Sequence, residues 1–408
     1  MNYDNLLSLL WGVSSISSVL PLTRSSSQEA SKKRYFNKDL STPSGVVSNA
    51  IAELGGSLSE PISIPKSNKP LLRLAWSHDV AMDLGTANTL IYIRKQGIVF
   101  NQPSIVAIDQ AKNEVVAIGH KAKGMFGKTG RSISVVRPLK NGTIQDFESA
   151  SLMIRHLIRL IHSGFSMKGP RLVVGVPSGI SYAENRSVVD AAHRSGISSV
   201  HLAGESIAAA LGAGISLTQG DARMIVDIGG GTTEVAIIIA GELVHFHTSN
   251  VAGDQFDIAI QRYIRDEHDL NIGIFEAEKL KLQIGSAYSP KIERTLNISG
   301  QDLRTGLPKQ ICISDAEISY AISEPIKSII ASIFSVLEES SPEVIDDIAN
   351  HGVYMAGGGS LLPHLIDILS YSTGLKFFLA SDPLYCVVRG VGHIVDDMRS
   401  YKRLTISQ

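Results

Sequence analysis

Apolar residues recur along this chain at two spacings. Between residues 80 and 108, short β-branched runs alternate with polar turns and predict strands at 80–83, 90–94, 98–100 and 104–108. Residues 112–134 follow as a small glycine-containing insertion. From Ser149 the spacing becomes helical, because Leu152, Ile154, Leu157, Ile158, Leu160 and Ile161 share one face. The loop at 163–170 ends that helix and carries Phe165 and Met167, which either tuck onto the core or point outwards. An unbroken apolar run at 172–176 has the character of a buried parallel strand. Ser181 and Glu184 then have capping-box spacing, which starts a helix ending near Gly196. A strand at 200–203 and a small-residue helix at 207–214 come next. The runs 224–226 and 235–239 read as a buried hairpin, followed by a helix running through Arg265 and helical spacing over 276–281. Residues 292–314 alternate like strands and 315–340 read as one long helix. A helix at 363–369, a strand at 375–379 and a helix at 384–398 close the pattern. Strands interleaved with helices in this way predict an α/β protein.

The hairpins enclose the candidate chemistry. Asp227-Ile228-Gly229-Gly230-Gly231-Thr232-Thr233-Glu234 joins two apolar runs. Glycine supplies the positive φ of a tight turn and leaves backbone N–H groups unobstructed, which makes a cradle for phosphate oxygens. Asp227, at a strand end, suits a hard cation through water, and Thr232 and Thr233 offer hydroxyls at the same mouth. Asp83-Leu84-Gly85-Thr86-Ala87-Asn88-Thr89 stands about 144 residues earlier, again between apolar runs, so the chain carries two related halves. A third turn, Ala356-Gly357-Gly358-Gly359-Ser360, follows another apolar run. Glu205, in Gly204-Glu205-Ser206, sits at a strand-to-helix turn, where a carboxylate serves either cleft chemistry or the helix dipole. Glu278 and Lys281 share a helix face as either an exposed ion pair or a polar wall for a base and ribose.

Composition narrows the choices. The 408 residues, 44% of them hydrophobic, suffice for two domains. Lys and Arg number 38 against 39 Asp and Glu, so no basic stripe marks a nucleic-acid binder. Cys312 and Cys386 are the only cysteines, which fits a reducing compartment. Residues 1–69 are rich in serine and broken by proline, and a mostly disordered extension is expected there. Within them, 6–13 is apolar but lacks a cationic flank and the length of a span; it reads as a short membrane-touching helix or as translated sequence of no consequence. Leu71, Leu72, Leu74 and Trp76, with Arg73 between, fit either a membrane interface or a turn packed on its own domain. No later stretch is long and apolar enough to cross a bilayer.

The stretches DLGTANTLIYI, NQPSIVAI, RPLKNGTIQDF, VGVPSG, VDIGGGTTEVAI, VAGDQFDIAI, AGGGSLL and ASDPLYCVVRG together resemble the MreB family of bacterial actin homologues, within the actin, sugar kinase and Hsp70-type ATPase superfamily. The resemblance runs from about Leu71 to the C-terminal region. It implies an actin-like, duplicated ribonuclease H-like fold, with one domain at 70–210 plus 380–408 (small subdomain about 98–134) and a second at 211–379 (small subdomain about 250–314). It implies ATP in the cleft. Thr86, Ala87 and Asn88 would line one phosphate loop and Gly229, Gly230 and Gly231 the other. Glu278, Lys279, Leu280 and Lys281, with Gly358, Gly359, Ser360 and Leu361, would contact the adenosine side. Asp83 and Asp227 would hold Mg²⁺ through water, and Glu205 and Thr232 would position the attacking water.

The resemblance further implies a cytoplasmic ATPase that polymerises at the inner face of the cell membrane and maintains rod shape by organising cell-wall synthesis, with RodZ, MreC, MreD and RodA as partners. Membrane contact would come from Leu71, Leu72, Leu74, Trp76, Phe165 and Met167. Superfamily alternatives are an Hsp70-type chaperone ATPase, which needs a peptide-binding domain, and a sugar or acetate kinase, which needs an acceptor pocket. Two departures stand out. The family's water-positioning turn has two acids and a proline, whereas this chain has Gly204-Glu205-Ser206, so slow hydrolysis is expected. At the helix matching the antiparallel filament interface, Ala183 and Asn185 are smaller or more polar than the family pattern.

Overall fold

The computed structural model describes residues 79–161, 170–218, 220–289 and 292–406. All of these belong to one compact unit, Ser67–Gln408. The apolar runs form strands β1 (Val80–Leu84), β2 (Asn88–Ile93), β3 (Gly97–Pro103), β4 (Val106–Asp109) and β5 (Glu114–Ile118), then helix α1 (Gly119–Met125) and strands β6 (Ile133–Val136), β7 (Leu139–Lys140) and β8 (Thr143–Ile144). The insertion therefore has structure of its own: β4, β5 and β6 make a three-stranded sheet closed by α1. Asn141 and Gly142, both at positive φ, make the two-residue turn between β7 and β8. Helix α2 (Phe147–Ile161), strand β9 (Arg171–Val176), helix α3 (Tyr182–Arg194), strand β10 (Ser199–Gly204) and helix α4 (Glu205–Gly212) complete the first half. The capping box expected at Ser181 and Glu184 is present at the start of α3.

The second half repeats the plan. Strands β11 (Arg223–Ile228), β12 (Thr233–Ile239) and β13 (Glu242–Ser249) precede α5 (Gly253–His268), β14 (Leu270–Asn271), α6 (Ile274–Ile284), β15 (Thr295–Asp302) and β16 (Pro308–Ser314). Helices α7 (Asp315–Ala321), α8 (Ser323–Glu338) and α9 (Pro342–His351), strand β17 (Val353–Ala356), helix α10 (Leu365–Thr373), strand β18 (Phe377–Leu379), helix α11 (Cys386–Asp396) and strand β19 (Thr405–Ile406) follow. The long helix expected over 315–340 is two helices bent by 47°. Pro325 stands in the first turn of α8, where a ring in place of an N–H cannot continue the ladder of α7. Helix α9 was not anticipated, although Ser341 caps it, Pro342 opens it and Val344, Ile345 and Ile348 fall at helical spacing.

The main sheets run β3-β2-β1-β9-β10 and β13-β12-β11-β17-β18. In each, the first three strands form an antiparallel meander and the last two add in parallel, so the duplication inferred from the turns extends to whole sheets. Strand β19 extends the first sheet at β10. Helices α4 and α11 lie between the halves, sharing one core with Ala81 and Val173 of the first sheet and Ile225 and Ala236 of the second. Their backbones nearly touch: a Cβ at Gly212 would lie 1.8 Å from the Cys386 carbonyl oxygen, and one at Gly390 would lie 1.8 Å from that of Ala208. Among the described residues no single helix is long and apolar enough to cross a membrane. Residues 1–69, Leu71, Leu72, Leu74, Trp76, Phe165 and Met167 lie outside the described residues.

Candidate functional site

The two glycine turns meet. Antiparallel pairing ends with Leu84 opposite Thr89 in one hairpin and Ile228 opposite Thr233 in the other, so the intervening residues project from equivalent sheet ends. Gly230 lies against Ala87, where a Cβ would come within 2.5 Å of the Ala87 Cβ. Gly231 lies against Thr86, with the Thr86 hydroxyl 2.5 Å from the place of its missing Cβ and Asn141 N at 2.9 Å. None of Gly229, Gly230 and Gly231 has the positive φ expected of this turn; any side chain at Gly230 or Gly231 would drive the turns apart, and that close approach is the physical reason for glycine. Gly229 N–H closes its own turn onto the Thr232 carbonyl at 2.9 Å, leaving Gly230 and Gly231 as candidate donors to a phosphate. Asn88 opens β2 at the edge of the first turn.

Each turn is braced. Gly142 N–H donates to the Thr86 hydroxyl at 2.8 Å, so the β7–β8 turn supports the first loop. The first residues of α5 support the second, since Gly253 and Asp254 N–H donate to the carbonyls of Gly229 (3.2 Å) and Gly230 (2.7 Å). Arg137 spans both halves: its Nη2 donates to Asp254 Oδ1 at 3.1 Å and lies 3.4 Å from the Thr86 carbonyl.

Beneath the turns lies a group of acids. Glu205, Asp227 and Glu234 are buried and Asp83 is partly buried. Burial pushes the Asp83 carboxyl up to about 7. Burial also holds Asp227 well above the usual carboxylate range, and the charges of Glu234 and Asp83 add to this. Glu205 is raised by burial and then by Glu234, Asp83 and Asp227. Such a cluster calls for a positive partner. Asp227 Oδ1 is buried without a hydrogen-bond partner, a lone acceptor suited to a hydrated cation. Among the described residues no group of three or more His, Cys, Asp or Glu side chains is placed to hold a metal directly.

The adenosine-side set divides. Lys281 reaches the start of α5, which braces the second turn, donating to the Gly253 carbonyl at 2.9 Å and pairing with Asp257 at 2.8 Å. Glu278 faces across to the first half and pairs with Lys123 of α1 at 2.5 Å. Lys279 pairs with Glu276 on the outer face of α6, and Leu280 is fully buried in the core. Gly358, Gly359, Ser360 and Leu361 form a 3₁₀ turn against the end of β11, where a Cβ on Gly359 would lie 2.4 Å from the Ile228 side chain. Sequence reasoning overlooked Glu234, Ser178 and Ser206, although Glu234 stands two residues beyond Thr232. It also overlooked Arg137, Asp254 and Lys123, whose pairings join distant parts of the chain.

A family model described as MreB/Mbl protein matches residues 77–403. The chain belongs to the MreB/Mbl family. It is 41% identical over 326 residues to the cell shape-determining protein MreB of Escherichia coli (strain K12), covering 79% of this chain and 94% of that protein. It is 36% identical over 332 residues to the cell shape-determining protein Mbl of Bacillus subtilis (strain 168), covering 81% and 100%. Among solved structures, MreB5 of Spiroplasma citri bound to AMPPNP matches at 35% identity with a TM-score of 0.75, covering 80% of this chain and 98% of that one. The fold is accordingly actin-like and the protein is an actin-like cytoskeletal protein of the MreB/Mbl family; the chaperone and kinase alternatives are not favoured.

Proposed function

We propose that this protein binds ATP with Mg²⁺ between its glycine turns, hydrolyses it slowly, and polymerises into filaments at the inner face of the cell membrane that maintain rod shape by organising cell-wall synthesis. The observation that carries the reading is the meeting of Gly230 and Gly231 with Ala87 and Thr86 above four acids. Backbone N–H groups of both turns would receive phosphate oxygens, so a ligand held there would tie the halves together. Mg²⁺, held through water by Asp83 and Asp227, would neutralise phosphate charge. Glu205 and Thr232 would orient the attacking water, which is most of what phosphoryl transfer asks of a protein. Gly204 and Ser206, replacing an acid and a proline around Glu205, are the reason for expecting a slow step. Similarity to a MreB5 structure bound to AMPPNP supports the nucleotide assignment.

Filament growth needs a head-to-tail contact that does not close on itself. Leu71, Leu72, Leu74, Trp76, Phe165 and Met167 would give each subunit a weak hold on lipid, and a filament would multiply it. RodZ, MreC, MreD and RodA are the partners expected of this role. Pelleting with and without Mg²⁺-ATP tests the assembly: sedimentation only with nucleotide is expected, and sedimentation indifferent to ATP overturns it. Glu205→Gln is expected to abolish phosphate release while the protein still pellets. Trp76→Ala with Phe165→Ala is expected to release filaments from vesicles in co-sedimentation.

A further inference from the structure

The duplicated hairpins differ at one buried position. Opposite Asp83 in the first half stands Leu90; opposite Asp227 in the second stands Glu234, equally buried. The same fold position is therefore filled by an aliphatic side chain in one half and a carboxylate in the other. A buried carboxylate persists only where hydrogen bonds compensate its lost hydration. Glu234 has them, and those from Ser178 and Ser206 come from the other half. Ser178 N–H donates to Oε1 at 2.6 Å, the Ser178 hydroxyl donates to Oε2 at 2.9 Å, and the Ser206 hydroxyl donates to Oε2. Thr248 of β13 completes the set at 3.5 Å. Ser178 lies just beyond β9, and Ser206, fully buried, lies in the first turn of α4.

We infer that Glu234 is a positioning residue for hydrolysis, joining Glu205 and Thr232 across the two halves through Ser206 and Ser178. The inference rests on the proposed hydrolytic role of Glu205 and Thr232. Ser206 is bonded in sequence to Glu205, and Glu234 follows Thr232 by two residues in extended chain, so the Ser206–Glu234 hydrogen bond is the short path between the two water-aligning groups. It also gives Ser206 a task. The turn that carries Glu205 is fixed by the Ser206 hydroxyl, held on a buried acid of the other half. Because Ser206 and Glu234 belong to different halves, this hold on Glu205 lasts only while the halves are docked.

The test uses the full chain above the concentration at which it pellets, with steady-state phosphate release and the affinity of a fluorescent ATP analogue measured in parallel. Glu234→Gln and Ser206→Ala are each expected to lower kcat roughly tenfold with KM and analogue affinity unchanged, because small misplacements of catalytic groups cost rate before binding. The double variant is expected to fall no further than the worse single one, since both changes cut one connection. Parent-like kcat in both single variants, with Glu205→Gln inactive, overturns this inference and leaves the hydrolytic reading standing. Affinity and thermal stability falling in step with kcat also overturns it, by reducing Glu234 to a structural residue. Unchanged phosphate release in Glu205→Gln removes the hydrolytic reading and the inference with it.

Discussion

The two glycine hairpins share a spacing, a strand pairing and a place in their sheets, yet they are furnished differently. In the first, the turn reads Gly85-Thr86-Ala87-Asn88 and an apolar Leu90 faces Asp83; it is braced from within its own half by Gly142 on Thr86 and by Ser104, whose hydroxyl donates to the Gly85 carbonyl at 2.6 Å. In the second, three glycines make the turn, Glu234 faces Asp227, and the half-buried Lys281, paired with the buried Asp257, supports it through Gly253. The first turn carries side chains and the second yields space to them. Duplication supplies a symmetric frame, and the asymmetry between its copies makes a site in which one turn can close against the other.

The largest effect should come from erasing the difference at the buried position. Leu90→Glu copies the second half into the first, placing a carboxylate where the sequence provides leucine, and is expected to destabilise the fold by about 3–5 kcal/mol, the scale of an uncompensated buried charge. Denaturant unfolding measures it; a loss below about 1 kcal/mol would mean that the first half also satisfies an acid. Gly230→Thr makes the second turn resemble the first, since Thr86 holds the matching position. Its Cβ would collide with Ala87, so nucleotide affinity is expected to fall at least roughly tenfold with the fold retained, as read by titration with a fluorescent ATP analogue.

The smallest effect concerns pH. Burial pushes the Asp257 carboxyl up to about 7, against the pull of Lys281. A carboxyl whose folded value is raised contributes stability that is present below its unfolded value near 4 and lost as pH rises through about 7. Asp257→Asn is therefore expected to flatten the decline in thermal midpoint between pH 4 and 7 relative to the parent, measured without nucleotide. An identical decline in both proteins would exclude Asp257 as a contributor.

Much of this was legible in the chain because it depends on neighbours in sequence. Apolar runs gave β1, β2, β9 and β11, the Ser181–Glu184 spacing gave the start of α3, and the repeated Asp-x-Gly turns gave the duplication. The break between α7 and α8 was also local, in Pro325, but an apolar period continuing past it outweighed the signal. The insertion was harder, because β4, β5 and β6 are stabilised by pairing with one another more than by any pattern within each strand.

The sequence by itself determined which residues make strands, where glycine turns stand, and that one half repeats the other, since side-chain period and backbone freedom are local properties. Only the tertiary structure decided what faces what. Lys123 meets Glu278 over 155 intervening steps of chain, and Arg137 meets Asp254 over 117. Glu234 reads in sequence as an ordinary polar residue in a strand. Its role became visible once folding buried it and brought Ser178 and Ser206 to its oxygens, because a hydrogen bond is decided by distance in space and the cost of burying a charge by everything around it.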